Sequence, residues 1–343
     1  MGAGAFRPPD RRGRRPAVRN GLILLAAVVG LALATVASLF LGGRATAPAE
    51  VVKVLTGTPD PYLEAVLDSR FSRTVMGLLV GAALAVAGVV IQGITRNPLG
   101  DPGLLGVTVG ASAAMVTAAA FSGAGFGAGS VWVALAGALA TVLLVSAVGG
   151  RSASGSVVGL LLTGAVVSAV LSAYIQAMTL TNPGVFDSFR FWVIGALGGR
   201  DLSVAVSVSP ALIGGLVIAV LLAPSLNNLA LGEDVAVSLG TRVALVRGAG
   251  ILAAALLSAA ATAAVGPIAF IGLAVPHLTR SLAGPDHRWQ IPLAAVLGGT
   301  LLIVADIVGR VVARPEEIMV GIVTALIGAP FLLLAVRRGW AAR

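Results

Sequence analysis

The sequence lacks cysteine and has little lysine, histidine or charge of any kind. With no cysteine, and with His277 and His287 as the only histidines, neither a disulfide framework nor a Cys/His zinc site can form. Lys53 is the only lysine and no glycine loop surrounds it, which excludes a phosphate-binding loop of the GxxxxGK[ST] type. Only 11% of the 343 residues are charged, whereas soluble domains carry about 25%. The composition therefore excludes a water-soluble fold and ATP hydrolysis by that route.

Long apolar runs take the place of charge. The bilayer core requires about 20 apolar residues in a helix, and nine runs approach or exceed this length. They are Gly21–Leu41, Val75–Ile94, Leu104–Phe121, Val131–Val148, Val157–Met178, Leu202–Ala223, Val243–Ala264, Ile291–Val312 and Ile318–Val336. A tenth, Ile268–Leu282, is short and contains Pro276 and Arg280, so we expect a broken or tilted span inside the protein. The pattern predicts an all-α integral membrane protein with about ten transmembrane helices.

The arginines indicate how these helices are oriented. An even number of spans places both termini on one side of the membrane, and most of the 23 basic residues then fall on that side. The positive-inside rule makes that side the cytoplasm. We therefore expect a basic cytoplasmic tail at residues 1–20, a membrane domain at residues 21–343, and both termini inside. If the short tenth run did not cross, the C-terminal Arg337, Arg338 and Arg343 would lie outside.

The predicted spans carry almost no ionisable side chains. Asp306 and Arg310 lie near an outer end and Arg280 near an inner one. A carrier coupled to protons or sodium normally buries such groups deep in its helices. We expect a pathway of small and weakly polar side chains whose energy comes from elsewhere. A proton-coupled secondary transporter is the alternative, followed by a channel or membrane scaffold.

Neither HExxH nor GxSxG occurs, so we expect no enzyme activity and no catalytic residue.

Two connections are longer than a turn. Residues 224–241, predicted inside, read PSLNNLALGEDVAVSLGT. Asn227 or Asn228 can cap a first short helix, Gly232 can end it, and Glu233 can start a second. Such a segment is either a tight loop or a docking element, and its length favours docking to a cytoplasmic protein. The other connection, residues 179–201, is rich in aromatic residues and predicts a short amphipathic or re-entrant helix outside.

Three stretches share the order and spacing of a known family. The first is QGITRNPLGDPGLLG at 92–106, preceded by RFSR at 70–73; the second runs from LNNLALGE to SLG at 226–240; the third is GPIAFIGLAVPHLTR at 266–280. Together they closely resemble the FecCD-type permease subunits of bacterial ABC importers for ferric siderophores, haem and cobalamin. The resemblance covers nearly the whole chain after the basic tail.

This resemblance implies a transport subunit rather than an enzyme, located in the bacterial cytoplasmic membrane. It implies two permease subunits, identical or homologous, two cytoplasmic ATPase subunits and an extracytoplasmic substrate-binding protein. ATP and Mg would be bound by the ATPase partner, with no cofactor or metal in this chain. We expect a ferric siderophore or similar metal chelate to be imported by alternating access, with haem or cobalamin as alternative substrates of the same machinery.

The resemblance also assigns residues to three roles. The residues assigned to coupling with the ATPase are Leu226, Asn227, Asn228, Leu229, Ala230, Leu231, Gly232, Glu233, Ser238, Leu239 and Gly240. Docking of the binding protein falls on the outward-facing Arg70, Arg73 and Arg310, which as an alternative only anchor helix ends near headgroups. The pathway candidates are Ser168, Ser172 and Gln176 of the fifth span, for which polar contacts between packed helices are an equally good account.

Overall fold

The computed structural model describes residues 14–42, 61–122, 129–149 and 157–337, and this part of the chain is helical without β-strands. Most of the predicted basic tail, residues 1–13, lies outside the described residues, as do Lys53 and residues 338–343. The described helices are α1 (Arg14–Phe40), α2 (Pro61–Thr95), α3 (Val107–Ser122), α4 (Ser130–Gly149), α5 (Val157–Thr181), α6 (Pro183–Trp192), α7 (Leu202–Ala230), α8 (Glu233–Ser238), α9 (Val243–Val265), α10 (Ile271–Ala283), α11 (His287–Val312) and α12 (Val320–Arg337), with a 3₁₀ turn at Pro102–Leu105.

Many of these helices are suited to a bilayer. Seven of them, α1, α2, α4, α5, α7, α9 and α11, are long and apolar enough to cross it, and α3 and α12 are shorter apolar helices. Helix α10 has 13 residues and contains Pro276. The prediction of an all-α membrane protein is confirmed.

Helix α2 lies at the centre of the bundle and packs against α11, α9 and α10. Two glycines allow the closest of these approaches. A Cβ at Gly81 would overlap the backbone of Gly298 in α11, and one at Gly88 would overlap the carbonyl of Gly272 in α10. The glycine-rich composition therefore places backbone directly against backbone, as membrane helices require when they pack through small residues.

Short polar side chains and glycines fix the ends of the helices. Asp201 caps α7 by accepting from the Ser203 N–H at 2.7 Å, and Asp286 caps α11 by accepting from the Arg288 N–H at 3.0 Å. Helix α9 ends at Gly266, where φ is 83°. The chain then runs through residues 267–270 without helical structure before α10 begins. The predicted run Ile268–Leu282 is thus interrupted at its start, whereas Pro276 lies inside α10.

Two predicted boundaries are wrong. Helix α2 begins at Pro61 rather than near Val75, because its more polar first half continues the same helix. Helix α7 runs through Pro224 to Ala230, so the sequence after Pro224 does not begin a separate short helix. A proline removes one backbone hydrogen bond but need not end a membrane helix. The complete burial of Leu226 and Leu229 stabilises the last turns of α7.

The connection at residues 179–201 contains the short helix that its aromatic residues predict. Helix α6 begins with Pro183, a residue well suited to the first turn. Phe189 and Trp192 are buried, whereas Phe186 and Phe191 are exposed, so the helix is amphipathic. The prediction of a short amphipathic helix is confirmed.

Candidate functional site

The residues expected to couple to an ATPase, 226–240, form one compact element at the end of α7. We call them the coupling element. It consists of the last turn of α7, a two-residue turn, α8 and the residues up to Gly240. Gly232 has a φ of +116°, a conformation that favours glycine, so the expected break at this residue is confirmed. Glu233 and Asp234 occupy the first turn of α8, where negative charge stabilises a helix.

Asn227 attaches the coupling element to the start of α11. Its Nδ2 donates to Asp286 Oδ1 at 2.6 Å, and its Oδ1 accepts from the backbone N–H of His287 at 2.8 Å. The same oxygen lies 2.8 Å from His287 Nδ1, which must therefore carry a proton to donate. Asn227 is thus an interior helix residue that joins two helices, and the prediction that it or Asn228 caps a short helix is wrong.

A second set of contacts holds α8 against α9. Asn228 Nδ2 donates to Thr241 Oγ1 at 3.0 Å, and the Thr241 N–H donates to the carbonyl of Ala236 at 2.9 Å. Glu233 forms an ion pair with Arg247 of α9. Within α8, the side chain of Ala236 is fully buried. These contacts on both sides of α8 make the coupling element a rigid unit rather than a loose loop.

The outer surface of the coupling element is apolar. Four large aliphatic side chains are 44–63% exposed: Leu231, Val235, Val237 and Leu239. We call them the apolar ridge. They lie beside acidic and polar residues of the coupling element, and such a concentration of exposed apolar side chains favours a site for another protein.

The three arginines expected to dock the binding protein line one cavity. We call them, together with Asp306 and Glu317, the arginine cluster. Arg70 Nη1 donates to the carbonyl of Leu39 at 2.7 Å. Arg73 pairs with Asp306 at 2.9 Å and with Glu317 at 2.7 Å. Arg310 pairs with Asp306 at 2.9 Å, and its Nη2 donates to Ser38 Oγ at 2.7 Å.

This network buries two of the three arginines within the chain. Arg310 is only 1% exposed and Arg70 only 6%, so little of either side chain reaches the surface. Their guanidinium groups turn inward because acceptors on α1 and α11 are within reach. Arg73 retains 12% side-chain exposure and shares its charge with Glu317, which is 43% exposed. Docking to a partner stays a prediction, and Arg73 is the arginine best placed for it.

The pathway candidates lie on a helix that is largely unpacked within the chain. Only 6% of the apolar part of α5 is buried. Ser168 and Ser172 are half-buried and Gln176 is exposed. Tyr174 attaches the helix to α3 through a 2.8 Å hydrogen bond to Thr117 Oγ1. The exposed face of α5 is available to a pathway or to a second subunit, and the pathway role of these residues stays a prediction.

The loop after α2 has a structural role. Asn97 Oδ1 accepts from the Leu99 N–H at 2.9 Å, and Asp101 Oδ1 accepts from the Gly103 N–H at 2.7 Å. Burial raises the pKa of the Asp101 carboxyl, although the Gly103 N–H acts in the opposite direction. The two side chains supply the hydrogen bonds that a sharp turn leaves unmade.

Sequence reasoning missed the residues that complete these sites. Asp286 and His287 receive the coupling element, and their position in a polar break between two apolar runs was the available signal. Glu317 follows Arg314-Pro315-Glu316 in a charged connection, which gave no hint of pairing with Arg73. Ser38 lies within an apolar run and gave no signal.

Comparison with known proteins covers nearly the whole chain. A family model described as the FecCD transport family matches residues 30–338. The chain is 44% identical over 321 residues to the ferric enterobactin transport system permease protein FepD of Escherichia coli (strain K12), covering 93% of this chain and 94% of FepD. It is 40% identical over 272 residues to the iron(3+)-hydroxamate import system permease protein FhuB of Bacillus subtilis (strain 168), covering 79% and 71%.

A solved structure also matches. It is an inward-facing conformation of a metal-chelate type ABC transporter, superposed with a TM-score of 0.82 at 30% identity. The match covers 93% of this chain and 99% of that chain. Fold and sequence therefore point to the same class of protein.

Proposed function

Since the chain belongs to the FecCD transport family and is a permease subunit of an ABC importer, we propose that it carries a ferric siderophore inward across the cytoplasmic membrane. The observation that carries the choice of substrate is the 44% identity to a ferric enterobactin permease along almost the full length of both chains. The proposed transport mechanism is alternating access, and we assign no catalytic residue to this chain. The similarity to ABC permeases disfavours the proton-coupled alternative.

Ten crossing helices give a self-consistent topology. The shorter helices α3, α10 and α12 add three crossings to the seven long spans. Helix α10 rises only about 20 Å over its 13 residues, and the non-helical residues 266–270 before it lengthen the segment toward a core of about 30 Å. With both termini in the cytoplasm, the coupling element faces inward and the arginine cluster outward.

The coupling element is the proposed contact with the ATPase. Its apolar ridge supplies the surface, and its attachments to α9 and to Asp286 of α11 transmit a displacement from that surface into the membrane. ATP and Mg are bound by the partner subunits, of which we propose two. A second permease subunit, identical or homologous, covers the exposed face of α5. The substrate-binding protein docks outside at the arginine cluster.

Reconstitution tests this function directly. The chain, its ATPase and its binding protein are inserted into liposomes, and uptake of a ferric siderophore is measured with ATP inside. We expect uptake that requires both ATP and the binding protein and persists when an ionophore removes the proton gradient. Haem and cobalamin uptake measured in parallel tests the substrate. Uptake that needs no ATP and collapses with the gradient would contradict the proposal.

A further inference from the structure

The guanidinium group of Arg73 has two acidic partners whose surroundings differ. Its Nη2 donates to Asp306 Oδ1 at 2.9 Å, and its Nη1 donates to Glu317 Oε2 at 2.7 Å. Asp306 is 4% exposed and Glu317 is 43% exposed. One half of the guanidinium group is therefore inside the bundle, and the other half forms an ion pair in contact with solvent.

The buried half is fixed from several directions. Asp306 also pairs with Arg310 at 2.9 Å, and Arg310 in turn donates to the carbonyl and the hydroxyl of Ser38 at 3.1 and 2.7 Å. Breaking a buried ion pair leaves an uncompensated charge and costs several kcal/mol. Arg310 and Asp306 are consequently positioning residues that fix the orientation of the Arg73 guanidinium group.

The exposed half can exchange its partner at little cost. An ion pair in contact with water stabilises a protein by only about 0–1 kcal/mol. Glu317 lies on the connection between α11 and α12, at the edge of a cavity of about 320 Å³ that Tyr62, Arg70 and Arg73 also line. Another carboxylate entering this cavity would meet the same Nη1 donor that Glu317 now occupies.

We propose that Glu317 is an internal competitor for the carboxylate with which the binding protein docks. The proposal rests on the docking role given above to the arginine cluster. Glu317 satisfies Arg73 while the permease is alone, and an acidic side chain of the binding protein displaces it into water. Arg73 is the contact residue, whereas Arg70 and Arg310 contribute positive charge from behind it.

The charges of the cluster favour this exchange. Three arginines and two carboxylates leave one net positive charge, so a carboxylate partner is attracted even while Glu317 is in place. Neutralising Glu317 frees Nη1 and increases the positive charge. Removal of an acidic residue from this outer surface should therefore tighten docking rather than weaken it, and the effect should decrease as salt screens the charges.

The test measures the affinity of the purified cognate binding protein for the assembled transporter in nanodiscs. We expect Glu317→Gln to bind about twofold to fivefold more tightly at low salt, with the gain shrinking at high salt. The matched control is Glu316→Gln, which removes the same charge from the adjacent residue. Its gain should be clearly smaller, because only the general field changes. In the Arg73→Gln background, the gain from Glu317→Gln should disappear.

The possible outcomes separate the competition from the docking itself. Glu317→Gln that binds no more tightly than Glu316→Gln, or more weakly than the native chain, overturns the competition. Arg73→Gln that leaves affinity unchanged at low salt overturns the docking role on which the proposal rests. Thermal unfolding and basal ATPase rate verify that each variant is folded. If Glu317→Gln is unfolded, Glu317→Asp keeps the charge, shortens the side chain and should give a smaller gain of the same sign.

Discussion

Asn227 joins the coupling element to the start of α11. Three polar contacts converge on one amide: Asp286 on its nitrogen, and the backbone and ring nitrogens of His287 on its oxygen. A partly buried amide with three partners is specific because each partner fixes the orientation of the next. No other side chain type offers a donor and an acceptor in the same geometry except glutamine, which is one methylene longer.

Replacement of Asn227 should therefore uncouple transport from ATP hydrolysis. In Asn227→Ala the His287 N–H groups lose their partner and the Asp286 carboxylate loses one of its two donors, which we expect to destabilise the permease by about 2 kcal/mol. ATPase activity should continue while uptake falls several-fold, measured in the same liposomes. Asn20→Ala is the control, because Asn20 donates a single buried hydrogen bond to the Ala283 carbonyl. Equal loss of uptake in both variants would contradict a specific role for Asn227.

At the scale of elements, α8 combines a fixed base with an exposed apolar surface. Ala236 is buried and Glu233 is paired with Arg247, whereas Val237 is 61% exposed. The contacts that hold α8 do not involve the exposed valines of the helix or the exposed leucines on either side of it. Its apolar surface is therefore best explained by burial against a partner, which removes apolar area from water at about 25 cal/mol per Å².

A charge on this surface should prevent the ATPase from binding. We expect Val237→Asp to lower co-purification of the ATPase at least tenfold, because a carboxylate would be buried in an apolar contact. The permease itself should insert normally, since Val237 faces solvent. Ser281→Asp adds the same charge at an exposed position at the end of α10 and should leave co-purification unchanged. Co-purification of Val237→Asp at the native level would exclude the apolar ridge as the contact.

The elements also show which information the sequence carries. Apolar length predicts most spans, and Gly232 with Glu233 predicts the turn and the start of α8, because these signals are local. Pro224 misleads because the burial of Leu226 and Leu229 outweighs its local preference to end a helix. The inward orientation of Arg310 depends on Ser38, a residue 272 positions away. Such contacts exist only once the helices have packed.

At the scale of the whole molecule, the absence of cysteine allows the pathway to be mapped with single introduced thiols. Gln176 lies on α5 near its end at Thr181, and Val206 lies on α7 near its start at Leu202. Both side chains are exposed, so they make a matched pair at similar depth in the proposed topology.

A bulky membrane-permeant maleimide should distinguish the two positions. We expect labelled Gln176→Cys to lose most siderophore uptake, because the adduct would obstruct the pathway that is predicted beside α5. Labelled Val206→Cys should transport normally, since α7 is not among the predicted pathway elements. Mass spectrometry measures the extent of labelling, and uptake is compared at equal labelling. Full uptake by labelled Gln176→Cys would contradict the prediction that α5 lines the pathway.

The glycine contacts of α2 determine which helices can move. Gly81 meets Gly298 of α11 and Gly88 meets Gly272 of α10 with no side chain between the backbones. A contact without side chains has no rotamers that can adjust, so we expect α2, α10 and α11 to move together as one stiff lever. Its two ends are the Asn227 attachment at Asp286 and the Arg73 attachment at Asp306, about 30 Å apart along α11. We expect a tilt imposed at one end to reach the other, and the relative movement that alternating access requires to occur at the sparsely packed α5.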